Sequence, residues 1–186
     1  MNKLFFTISM LFLGFASLNA QAPSYTSFEW DVAGIGFVLP VNEDSIKGGI
    51  SFGSEVRYNL LDNVSVGLAG EMNLFDLEEL EDDEEGTINA SFSSFITSDY
   101  YFRTTSANRA FAGLGVGINY NGEIEVIKEG ESNFIESKTG ASLAPRIGYE
   151  LDHVRFLVQY NLGLSEDLYD YISFRVALTL WGGYRG

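Results

Sequence analysis

The chain has no cysteine and a single histidine, and basic residues are scarce. Without cysteine there is no disulfide staple, no thiolate metal site, and no lipid-modified cysteine to anchor an exported chain. With His153 alone, a transition-metal site lacks its usual second ligand. Lys+Arg number 11 against 26 Asp+Glu, a net charge of −15. Such a chain has no basic stripe to neutralise phosphates, so nucleic acid is excluded as a partner. High net charge can signal disorder, but 46% hydrophobic and 15% aromatic content argues for a packed structure. Beyond residue 20 no apolar run approaches the ~20 residues of a membrane-spanning helix, so a membrane is entered as strands or not at all.

Met1 to Ala20 reads as a secretory signal: Lys3 supplies the charged start, and Leu4 to Phe15 is an apolar run broken by Thr7, Ser9 and Gly14. Cleavage after Ala20 is expected, because the alternative after Ala22 places Pro23 directly behind the cut. Loss of Lys3 leaves ten basic residues against 26 acidic ones, or −16. The expected organisation is a signal peptide at 1–20, exported through the Sec pathway, and one domain at 21–186.

In that domain, period-two alternation dominates. Val154, Phe156, Val158, Tyr160 and Leu162 oppose Arg155, Leu157, Gln159, Asn161 and Gly163. Ile172, Phe174, Val176, Leu178 and Leu180 oppose Ser173, Arg175, Ala177, Thr179 and Trp181. Similar runs begin near Val64, Gly113, Ile50, Ile88, Ala141 and Phe28. Pro145 is an anomaly for a ladder. The first run slips phase near Gly34-Ile35-Gly36, where a bulge restores it. The pattern predicts an all-β fold: an eight-stranded antiparallel up-and-down barrel that spans a membrane. Connections alternate in length. Those at 61–63, 103–109 and 151–153 are short, while 41–47, 76–87, 121–138 and 165–170 are longer or more polar.

Alternation also fits a soluble lipocalin-like barrel turned inside out, binding an apolar ligand. Three features favour the apolar face outward. The polar faces are rich in Gly, Ser, Ala and Asn, suited to a narrow lumen. The strands have almost no lysine. Aromatics gather at the end carrying the termini: Phe28, Trp30, Tyr58, Tyr100, Phe102, Tyr149 and Tyr184, an interfacial girdle.

The signal, the eight runs, the alternating connections and the stretch Gly113-Leu114-Gly115-Val116-Gly117 resemble the small OmpA/OmpX-type outer-membrane barrels. The pieces Tyr58–Val64 and Tyr149–Val154 are similar to hairpins of the "outer membrane protein β-barrel domain" proteins of Bacteroidetes. The resemblance implies a monomer in the Gram-negative outer membrane. Its partners would be the lipid bilayer, lipopolysaccharide and the barrel assembly machinery. One departure is the end Tyr184-Arg185-Gly186, where such barrels usually finish on an aromatic residue.

Candidate site residues fall into two groups. Glu55, Arg57, Glu71, Asp99, Arg146, Glu150, Arg155 and Arg175, with Glu29 and Asp31, lie on the lumen side of their strands. Buried charges demand partners, so these are expected to form a polar network that plugs the barrel; a narrow channel is the other possibility. The segment Asp76 to Glu85 carries Glu78, Glu79, Glu81, Asp82, Asp83, Glu84 and Glu85. It reads as a solvated acidic loop, with weak binding of a hard divalent cation as the alternative. His153 falls in a short turn at the termini end, away from any chemistry at the opposite rim. No catalytic residue, metal site or cofactor is therefore expected. The function read from the sequence is a non-enzymatic barrel with a structural or surface-interaction role.

Overall fold

Strands with one small-polar face and one apolar face can satisfy every backbone group and hide every edge only by closing on themselves. In the computed structural model the chain does this, as a closed barrel in which each strand pairs antiparallel with its sequence neighbours and the last pairs with the first. The structure describes residues 25–41, 46–75, 86–102, 108–126, 132–165 and 168–183; at 86–87, 123–126 and 132–137 it describes the backbone alone. The signal segment, the acidic run Asp76 to Glu85 and Tyr184 lie outside the described residues.

The strands are β1 (Phe28–Val41), β2 (Gly49–Leu61), β3 (Val64–Phe75), β4 (Gly86–Tyr101), β5 (Asn108–Val126), β6 (Ser132–Leu151), β7 (Val154–Gly163) and β8 (Asp170–Trp181). Their tilt can be read from the register. From Gly36 on β1, paired partners run through Ser51, Asn73 and Ser91 to Asn121 on β5. In the other direction they run through Arg175, Leu157 and Gly148 to Phe111 on the same strand. Asn121 and Phe111 are ten residues apart, so a row of pairs climbs ten residues in one circuit. That stagger is what closing a tilted eight-stranded sheet requires.

Three sequence expectations are corrected in detail. The bulge in β1 lies earlier than Gly34-Gly36, between Asp31 and Gly34, with Ala33 at φ 50°. The connection expected from Asn121 to Lys138 is mostly strand, since β5 reaches Val126 and β6 starts at Ser132. Trp181, assigned to the polar face, is 69% exposed beside Trp30, where the β1–β8 register shifts. Pro145 is accommodated by a break in pairing. It faces Leu114 on β5, while the β6–β7 register passes from Leu143 to Arg146 without it.

The two faces differ completely. Phe37, Leu68, Ile96 and Ile118 are 60–70% exposed on the outside. Arg57, Arg109, Arg155 and Glu29 are at most 2% exposed within. A soluble barrel with an apolar lumen has the opposite arrangement. Of the expected girdle residues, Phe28, Trp30, Tyr58, Tyr100, Phe102 and Tyr149 are exposed, and they sit at the end carrying the termini.

Candidate functional site

The lumen divides into two unlike halves. Toward the termini it is built from arginines and carboxylates on alternating positions of six strands, β1, β2 and β4 to β7, each aimed inward by the period-two pleat. Arg146 holds Asp99 with Nε and Nη2, both at 2.8 Å, and Glu55 with Nη2 at 2.6 Å and Nη1 at 3.1 Å. Thr97 Oγ1 adds a donor to Glu55 at 2.6 Å. Arg155 donates to Asp99 and to Glu150, each at 2.6 Å. Arg57 donates to Asp31 at 3.0 Å, to Glu150 and to the hydroxyl of Tyr101, and pairs with Glu29 at 3.1 Å. Thr179 Oγ1 donates to Asp31 at 2.6 Å. Planar guanidinium forks suit these shared carboxylates; lysine, a point donor, would not bridge them in this way.

Arg175 and Glu71 sit at the outer margin of this network. Arg175 Nη2 pairs with Glu71 at 2.9 Å, and Glu71 also accepts from Gln159 at 2.7 Å and Asn73 at 3.1 Å. The structure therefore brings together all eight predicted lumen residues, with Glu29 and Asp31. A cavity of about 30 Å³ lies beside Asp31, Glu55, Arg155 and Arg175. Since a water needs roughly 10–15 Å³, this is room for a water or two.

Sequence reasoning missed the aromatic and cationic parts of the same cluster. Arg109, assigned to a short connection, lies inside β5 and is 1% exposed. Its guanidinium is stacked between the rings of Tyr25, 3.8 Å away, and Tyr101, 3.7 Å away. It donates to both oxygens of Glu29, at 3.0 and 2.9 Å, and to Glu150. Arg155 lies 3.9 Å over the ring of Phe111. Tyr101 and Phe111 follow the lumen parity of their strands, as does Phe95 against Ala69 and Ala144, so their phase was the available signal.

Away from the termini the lining changes to Ser and Asn. Tyr171 crosses the lumen from β8 to β4, its hydroxyl 2.8 Å from Ser93 and 3.3 Å from Ser91. Both serines donate to Asn119 Oδ1, at 3.0 and 2.8 Å. Above them Val38, Phe75 and Tyr171 form an apolar cluster joined by Ile46 and Tyr169. His153 stands in the tight β6–β7 turn, well exposed and 3.8 Å from Asp152. Among the described residues no group of three or more His, Asp or Glu side chains is arranged to hold a metal ion. The predicted cation-binding residues, Glu78 to Glu85, lie outside the described residues.

This fold and lining define a closed eight-stranded antiparallel barrel, apolar outside and ion-paired within. No protein-family model and no curated protein sequence matches the chain. Solved structures do match the fold. Ail, the attachment invasion locus protein of Yersinia pestis, aligns at 16% identity over 87% of this chain and 98% of its own, with a TM-score of 0.51. Neisserial surface protein A aligns at 10% identity over 87% and 99%, with a TM-score of 0.51. The outer membrane protein OprG of Pseudomonas aeruginosa aligns at 14% identity over 87% and 97%, with a TM-score of 0.50. The likeness is one of fold.

Proposed function

We propose that this protein is a monomeric, non-enzymatic barrel of a Gram-negative outer membrane, with a structural or surface-interaction role and a lumen sealed by its ion pairs. The observation that carries the reading is the inversion of faces. Large apolar side chains cover the outside, and charged ones are buried within. In water the exterior would be one continuous apolar patch far above what monomers tolerate, whereas in lipid it is the stable surface. The aromatic ring at the termini end fits one membrane interface, and the fold neighbours include proteins described as surface and outer-membrane proteins.

On this reading the termini face the periplasm. At the other end β4, β5 and β6, of 16, 19 and 20 residues, outrun β3 and β7, of 12 and 10. The projecting ribbon, together with the acidic segment Asp76 to Glu85, would meet lipopolysaccharide, cations or other surfaces. Insertion would go through the barrel assembly machinery after Sec export.

Because the chain has no cysteine, single-cysteine variants test the placement cleanly. In membranes, a cysteine replacing Val158 should react with a lipid-dissolved maleimide and one replacing Gln159 should not. The wild-type chain should also migrate faster on gels before boiling than after. Release of the folded protein by osmotic shock, without detergent, would overturn the assignment.

A further inference from the structure

We draw no further inference here: the strongest candidate, the outer stretch of β6, which starts at Ser132 and pairs with β7 only from Ser142 on, carries nothing because nothing in the structure shows what covers it.

Discussion

Arg155 shows how the network turns burial into dependence. It reaches Asp99 and Glu150 at 2.6 Å each, and both carboxylates are buried. Arg155→Met removes the cation and leaves two carboxylates short of a partner, a loss of about 3–5 kcal/mol for a broken buried pair. The urea midpoint of the fast-migrating gel form should fall accordingly. Tyr25 offers a finer comparison, since it covers one face of Arg109. Tyr25→Leu should cost about 1–2 kcal/mol in the same assay and Tyr25→Phe much less, because the ring carries the attraction. Most of this cluster was readable from strand phase, as the eight predicted charges share the inward parity. Arg109 was hidden because it lies one residue beyond the start of its strand, and such boundaries leave little trace in a polar stretch. Tyr101 and Phe111 were hidden for another reason: an aromatic residue on a polar face contradicts simple alternation until the arginine it stacks against is known.

At the scale of the strand, close approach between neighbours matters more than propensity. Gly113 on β5 faces Asp99, where an added Cβ would lie 2.0 Å from Oδ1 and 2.5 Å from the carbonyl of Ser98. Gly70 on β3 faces outward with nothing within 4 Å. Gly113→Ala should therefore destabilise by about 1–3 kcal/mol through overpacking and displacement of Asp99 from Arg146. Gly70→Ala should be neutral or stabilise by up to about 1 kcal/mol, since it only restricts the unfolded chain. Comparing urea midpoints of the two variants checks both. The strand ends were the least readable part of the sequence. The outer reaches of β5 and β6 are rich in Glu, Asn and Ser, which look like a loop until cross-strand pairs such as Ile124 with Phe134 are seen.

For the whole molecule, the halves of the lumen predict its transport behaviour. The termini half is filled by ion pairs and stacked rings, so the wild-type chain in a planar bilayer should show no conductance steps; steady steps would sink the sealed-lumen reading. The circular pairing also has a kinetic side. Thr26 N donates to the Gly183 carbonyl at 3.0 Å, a contact spanning 157 residues, and Tyr25 just before it covers Arg109 from the opposite side of the barrel. The first of these cannot form until the last strand has met the first. Loop-closure entropy over such a span is lost before any reward arrives, which makes this seam slow to form. The bond would then act as a seal on finished molecules: in a barrel that has joined its ends, Thr26 is tied to Gly183 and holds its neighbour Tyr25 beside Arg109.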